Sequence, residues 1–140
     1  MNATEQDPLE LVGVVVEDVG TPRNDGTPGS GLYVVPIRLS REATATEMRL
    51  LVETWDRPPS WSTMHRPGIL RVHGDRVILD GTTIDEVRDV HATTLRAVID
   101  RVNQLADEER SRAKAEASRL AAAKEAHDTH VGEVAAEIAF

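Results

Sequence analysis

The chain has 140 residues, of which 40% are apolar and 29% charged, and its formal net charge is −8. This size allows one ordinary domain, and this composition is typical of a soluble globular protein. The absence of cysteine excludes disulfides, thiolate chemistry and cysteine-bound zinc, and it favours a cytoplasmic location. The acidic N-terminus lacks the basic region of a signal peptide, and the apolar run Val12 to Val16 is too short to span a bilayer. We therefore expect no membrane association.

The negative charge lies at the two ends of the sequence. Residues 1–30 carry six acidic residues against one arginine, residues 31–105 are neutral, and residues 106–140 carry eight acidic residues against five bases. Contacts with phosphate groups require a basic patch, so this distribution argues against direct binding of nucleic acid. The acidic ends leave one alternative open, an acidic inhibitor that mimics nucleic acid and binds a nucleic-acid-binding protein.

Two strands are predicted in the first forty residues. Residues 9–19 are rich in valine, and such β-branched content favours a strand over a helix. Residues 32–40 alternate apolar and other side chains and form the second predicted strand. Between them, residues 20–31 are dominated by glycine, proline and other turn formers, which predicts a flexible loop. Pro36 cannot donate to a ladder, so a free strand edge is expected beside it.

The first helix is marked at both ends. Thr44 and Glu47 have the spacing of a capping box, and Pro58 with Pro59 ends the helix. Four large apolar residues between these signals are predicted to share one buried stripe: Met48, Leu51, Val52 and Trp55.

A β-hairpin is predicted at residues 69–80, with Gly74 and Asp75 as its two-residue turn. This turn sets the register and places two apolar pairs on one face of the sheet: Val72 with Val77, and Leu70 with Leu79. The other face is mostly polar, so helices need to cover only one face.

The second helix begins at another predicted capping box, formed by Thr83 and Glu86. Its apolar stripe repeats every three or four residues over about six turns: Ile84, Val87, His91 or Val90, Leu95, Val98, Val102 and Leu105. Residues 106–128 keep good helix formers, but Leu120 is their only large apolar residue. This second half has no evident surface of its own to pack on, so it is expected to project, bend back or lie against another chain.

The last ten residues regain apolar character. Val131, Val134 and Ile138 fall on one helical face, and Phe140 follows as the last residue. An amphipathic segment after a polar stalk is typical of a docking helix that binds in a groove. The alternatives are that it folds back on its own domain, with a bend at Gly132, or that it frays.

Residues 55–67 are the most unusual stretch, because they contain both tryptophans and three of the seven prolines. Tryptophan and arginine are enriched at interface hot spots, and a loop stiffened by proline loses little entropy on binding. We therefore predict a contact surface at Trp61, Met64, His65 and Arg66. The alternative is that Trp61 and Met64 only close the end of the sheet.

Catalysis has weaker support. Asp56, His65 and Arg66 offer an acid, a base and an anion clamp, but no serine or cysteine in a nucleophile context accompanies them. His127 and His130 lie one helical turn apart, yet structural metal sites normally need four ligands. The sequence therefore predicts no catalytic residue, no metal site and no cofactor.

The predicted fold is α+β, with elements in the chain order β-β-α-β-β-α. It contains a small, mainly antiparallel sheet, helices on one face of that sheet and a long projecting C-terminal helix. Residues 1–8 are predicted to be a disordered N-terminus, residues 9–105 the α+β domain, and residues 106–140 a polar, alanine-rich helical extension with an apolar tip. The leading hypothesis is a non-catalytic module that binds a protein partner or self-associates through the C-terminal helix. A small enzyme or ligand-binding domain centred on His65 and Arg66 is the alternative. The predicted interaction residues are Trp61, Met64, His65, Arg66, Leu120, Val131, Val134, Ile138 and Phe140.

Overall fold

The computed structural model describes residues 7–140, so the predicted disordered N-terminus, residues 1–8, lies outside the described residues except for Asp7 and Pro8. The strands are β1 (Leu11–Val14), β2 (Tyr33–Leu39), β3 (Leu70–His73) and β4 (Arg76–Thr82). The helices are α1 (Ala45–Asp56), α2 (Ile84–Glu86) and α3 (Ala92–Glu137), and a π-helical segment, Val87–His91, joins α2 to α3. The four strands form one antiparallel sheet in the order β1-β2-β4-β3. The predicted α+β class with a long C-terminal helix is confirmed.

The chain divides into two compact units at Ala106. The first unit contains the sheet, α1, α2 and the beginning of α3, and it holds every residue of the hydrophobic core. The second unit, Asp107–Phe140, consists of the rest of α3 and the three residues that follow it. Every residue from 111 to 140 is exposed to solvent.

The predicted hairpin is confirmed in its register. Leu70 pairs with Leu79 and Val72 with Val77, as the two-residue turn requires. Gly74 has a φ of 59°, which a residue with a side chain adopts only with strain. The turn residue is therefore glycine for a conformational reason.

The prediction of a free edge at Pro36 is wrong for the strand as a whole, because β2 lies between β1 and β4. The ladder between β1 and β2 nevertheless ends beside this residue, at the pair Val14 and Ile37. Beyond it, the Val15 amide donates to the Pro36 carbonyl over 3.0 Å, while the Val15 carbonyl accepts from Asp18 in a 3₁₀ turn. A proline is tolerated here because the chain opposite it has already left the strand.

The core lies on one face of the sheet, which α1 and the first turns of α3 cover. The sheet contributes Val35, Ile37, Leu39, Leu70, Val77 and Leu79. The helices contribute Leu50, Leu51, Trp55, Leu95, Val98, Ile99, Val102 and Ala106. Burying one such aliphatic or aromatic side chain stabilises a fold by roughly 1.5–3 kcal/mol. Among residues 7–140 no helix is both long and apolar enough to cross a membrane.

The capping box at the start of α1 is confirmed, with both Thr44 and Glu47 in their predicted roles. The buried face of α1 differs from the predicted stripe, because Leu50 is buried and Val52 is exposed. Glu47 lies on the same buried face, where it is bonded to Arg41 over 2.7 Å. The buried face of α1 therefore includes a paired carboxylate, and Val52 lies outside it.

The stripe of the second helix also differs in detail. Ile84 is exposed, whereas Ile99 and Ala106, which the predicted stripe does not include, are buried. The π-helical segment winds the backbone more widely for one turn, which shifts the residues before it relative to those after it. As a result His91, and not Val90, faces the core.

Candidate functional site

The loop that follows α1 presents two large apolar side chains to solvent. Trp61 is 61% exposed and Met64 is 52% exposed. Trp61 lies at the edge of a cleft of about 300 Å³, whose other wall is the first part of α3 and the segment before it. The lining residues are Ser60, Trp61, Ser62, Asp89, Val90, Thr93, Thr94 and Ala97. The alternative prediction, that Trp61 and Met64 close the end of the sheet, disagrees with this exposure.

His65 and Arg66 instead anchor the loop to α1. The His65 Nε2 atom lies 2.7 Å from the Trp55 carbonyl oxygen, and the Trp55 indole donates to the Arg66 carbonyl over 2.8 Å. The rings of Trp55 and His65 are 4.5 Å apart, and Trp61 meets His65 edge-on at 5.2 Å. The four residues predicted as one contact surface therefore divide into an exposed pair and an anchoring pair.

Glu86 is the centre of a polar cluster that the sequence did not reveal. Its carboxylate accepts hydrogen bonds from both Arg66 Nε, over 2.6 Å, and Arg66 Nη2, over 3.0 Å. It also accepts from the Thr82 hydroxyl over 2.9 Å and contacts His91 Nε2 at 2.7 Å. The side chain of Glu86 is only 10% exposed. A bidentate arginine on a largely desolvated carboxylate is a strong, geometrically specific interaction.

This cluster explains why the second predicted capping box is only half formed. Thr83 accepts from the Glu86 amide over 3.1 Å, as predicted. The Glu86 side chain should reach back to the Thr83 amide, but it is bound to Arg66, Thr82 and His91 instead. Arg66 donates two hydrogen bonds to this carboxylate, whereas the Thr83 amide would donate only one.

The cluster sets the charges of its two titratable members. Hydrogen bonds from Arg66, followed in effect by those from His91 and Thr82, lower the pKa of Glu86 to about 2 in spite of its burial. Burial lowers the pKa of His91, against the opposing hydrogen bond to Glu86. A carboxylate can only accept, so the neutral His91 carries its proton on Nε2. Its Nδ1 atom is then a bare acceptor and, within residues 7–140, has no hydrogen-bond partner.

The geometry gives little support to catalysis at His65 and Arg66. The Arg66 guanidinium is bound to Glu86, so binding a substrate anion there would require breaking an existing ion pair. The Thr82 hydroxyl donates to the same carboxylate. Within residues 7–140 no three His, Asp or Glu side chains are grouped as metal ligands. The cluster stabilises the junction between the loop and the start of the long helix.

We expect His91 to make the stability of the protein depend on pH. A histidine whose pKa is lower in the folded state binds a proton more readily when unfolded, so stability falls as the pH drops below about 6.5. Replacing His91→Gln keeps a donor for Glu86 without a titrating ring, and this loss should disappear. Urea unfolding at pH 7.5 and 5.5 measures the difference. The exposed His73→Gln variant should behave like the wild type, and equal pH dependence in all three proteins would contradict the assignment.

The five predicted interaction residues of the C-terminal segment are all exposed: Leu120, Val131, Val134, Ile138 and Phe140. Leu120, Val131 and Val134 lie within α3, and at about 100° per residue they fall within about 60° of one another around the helix axis. Ile138 and Phe140 lie beyond the end of α3 at Glu137, although the Ile138 amide still donates to the Ala135 carbonyl over 3.2 Å. Gly132, where a bend was considered, lies inside α3, which runs through it without a break.

A second cleft, of about 560 Å³, lies between the first strand and the beginning of α3. Its apolar walls include Leu11, Val14, Ile37, Val87, Leu95 and Ile99. Sequence reasoning did not find it, since a cleft depends on how distant segments pack. No protein-family model, no curated protein and no solved structure matches the chain.

Proposed function

We propose that the chain is a non-catalytic protein-interaction module whose C-terminal segment, residues 107–140, binds another protein chain. One observation carries the proposal. Residues 111–140 are all exposed although α3 extends to Glu137, and Leu120, Val131, Val134 and Ile138 form an apolar face on this segment. Below, "the apolar face" refers to these four residues. We place the module in the cytoplasm, because the chain has no cysteine.

The apolar face matters because an isolated helix obtains little stability from its own residues. Most helical stability in proteins comes from packing an amphipathic face against other structure. Three ion pairs within the segment, Arg110 with Asp107, Arg119 with Glu116 and Lys124 with Asp128, are exposed. Such pairs contribute only a few tenths of a kcal/mol each. Burial of the apolar face against a partner would supply the larger stabilisation.

The exposed pair Trp61 and Met64 is the second contact surface in this proposal. Trp61 is exposed beside a cleft. Tryptophan is among the side chains that are most enriched at interface hot spots. His65 and Arg66 hold the loop in place from the inside, so the surface is already ordered before a partner binds. Preorganisation of this kind reduces the entropy lost on association.

Two other functions have less support. A ligand-binding or catalytic site at His65 and Arg66 is disfavoured because both side chains are bound within the domain. An acidic inhibitor of a nucleic-acid-binding protein needs a regular row of carboxylates. In the C-terminal segment five bases lie among the eight acids, and three of these bases are paired with acids.

Removing the segment from Asp107 onward tests the proposal. We expect the shortened protein to fold, because every residue of the hydrophobic core lies at or before Ala106. It should lose its native mass in light scattering or lose a binding partner in a pull-down. If it keeps both its mass and every partner, the segment is not a binding element.

A pair of matched variants locates the contact on the helix. Val131→Glu with Ile138→Glu places two charges on the apolar face and should abolish binding. Ala122→Glu with Ala136→Glu adds the same charges about 160° away around the helix and should leave binding intact. Equal loss in both variants would point to net charge as the cause and not to the apolar face.

A further inference from the structure

We infer that the partner of residues 107–140 is a second copy of this chain, and that the two segments pair antiparallel along their whole length. The inference rests on the proposed function and names its partner. It is carried by the order of charges along a segment whose side chains are exposed. Below, "basic block" means residues 110–124 and "acidic block" means residues 125–140.

The segment is divided into two regions of opposite charge. The basic block contains Arg110, Arg112, Lys114, Arg119 and Lys124 against the single acid Glu116, a net charge of +4. The acidic block contains Glu125, Asp128, Glu133 and Glu137 and no lysine or arginine, a net charge of −4. Residues 107–109 add three acids before the basic block.

This order discriminates between the two ways in which a pair of helices can align. In a parallel pair in register each block would lie beside the same block of its partner, and like charges repel. In an antiparallel pair the basic block of each copy lies beside the acidic block of the other. Packed helices have axes about 8–10 Å apart, close to the Debye length of about 8 Å at physiological salt, so this difference is only partly screened.

The register in which each basic block lies beside an acidic block is also the register in which residues 107–140 of the two copies overlap completely. If the two segments 107–140 overlap fully, the centre lies between residues 123 and 124, which is within one residue of the boundary between the blocks. Residue 112 then lies opposite residue 135 of the second copy. Arg112 is therefore flanked along the axis by Glu133 and Glu137 of that copy. At about 100° per residue Glu137 lies within about 20° of the angular position of Arg112, and Glu133 lies about 60° from it, farther from the apolar face. Within residues 7–140, the ion pairs of this segment involve none of these three side chains.

The apolar face supports the same register. Val134 comes to lie opposite Ala113 of the second copy, and Val131 lies close to Ala117. Both alanines are on the same side of the helix as Leu120, within about 60°. Large residues facing small ones allow two helices to pack closely. The exposed ion pairs within each segment contribute little, so they do not oppose this rearrangement.

Spin labels on the full-length protein test the pairing directly, because the native chain contains no cysteine. Ala122→Cys and Ala136→Cys carry labels on the side away from the apolar face, near the centre and near the end of the segment. We expect a dimer in which the distance between the two Ala136 labels is clearly longer than that between the Ala122 labels. In an antiparallel pair the two Ala136 labels are separated along the axis by 25 residues, or about 38 Å. The two Ala122 labels are separated along the axis by only about 5 Å.

Charge reversal tests the block assignment in the same full-length protein. Arg112→Glu should raise the dimer dissociation constant at least tenfold, and Glu133→Arg with Glu137→Arg should do the same. Combining all three substitutions in one chain should restore association to within about threefold of the wild type. Reversal without rescue would contradict the pairing of Arg112 with the acidic block.

The outcomes separate this inference from the proposed function. Equal label distances at both positions would show a parallel pair, which overturns the inference and leaves the binding function in place. If the protein is a monomer at about 100 μM and still binds another protein through residues 107–140, the inference is likewise overturned and the binding function stays in place. A dimer that survives removal of residues 107–140 would overturn the inference. The proposed function would fail as well only if the shortened protein also kept every other binding partner.

Discussion

Replacing Trp55 with alanine is expected to lower the free energy of unfolding by about 4 kcal/mol, the middle of the range for tryptophan or phenylalanine in a core. Trp55 is fully buried and is the largest side chain of the core. The substitution leaves a cavity and removes the indole hydrogen bond to the Arg66 carbonyl. It also removes the ring that packs against both His65 and His91. Urea unfolding followed by circular dichroism measures the effect without relying on tryptophan fluorescence.

Trp61→Ala is the matched control, because it removes the same type of side chain from the loop that follows α1, six residues after Trp55. With Trp61 61% exposed, the expected loss of stability is at most about 0.5 kcal/mol. Binding should respond in the opposite way, with the larger loss in Trp61→Ala. If Trp61→Ala destabilises the fold as much as Trp55→Ala, the exposed loop is a structural element and not a contact surface.

Most of the fold was predictable because its signals are local. The capping box of Thr44 and Glu47 depends on two residues three positions apart, and the hairpin register depends on the Gly74-Asp75 turn. The helical character of residues 107–137 follows from their content of helix formers and the absence of proline.

The errors arise where a distant residue competes for a side chain. Glu86 has the spacing of a capping residue, but its carboxylate is bound by Arg66, which lies twenty positions earlier in the sequence. In α1 the ion pair with Arg41 accompanies the burial of Glu47, which a hydrophobic pattern leaves out of the buried face. Neither partner is marked by a periodic pattern, so one sequence read in short windows does not reveal it.

The candidate site was predictable in position and less so in role. The sequence singled out Trp61, Met64, His65 and Arg66 together, but only the first two are exposed. A hydrophobicity pattern cannot separate the two pairs, because their difference comes from contacts with Trp55 and Glu86. For the C-terminal segment the apolar residues were identifiable, whereas the surface that covers them belongs to another molecule in our proposal.

Replacing Glu86 with glutamine is expected to lower the free energy of unfolding by about 2 kcal/mol at neutral pH, because the carboxylate is largely buried while the Arg66 side chain, 36% exposed, is partly screened by solvent. Glutamine has the size of glutamate, so the packing stays similar. It offers one acceptor oxygen in place of two, and its amide group meets donors from Arg66, Thr82 and His91. The exposed pair of Glu116 and Arg119 provides the control, and Glu116→Gln should leave stability unchanged within error.

The same substitution should remove part of the acid sensitivity of the fold. In the folded protein the pKa of Glu86 is about 2, below its ordinary value of 4.5. A lowered carboxyl pKa contributes stability above pH 4.5 that is lost as the pH falls towards 2. Wild-type and Glu86→Gln stabilities should therefore converge between pH 4.5 and 2, while they stay apart at pH 7. Parallel pH profiles would mean that the pair of Glu86 and Arg66 stabilises the fold by packing alone. The stability it contributes depends on pH only if the Glu86 carboxylate has to be ionised.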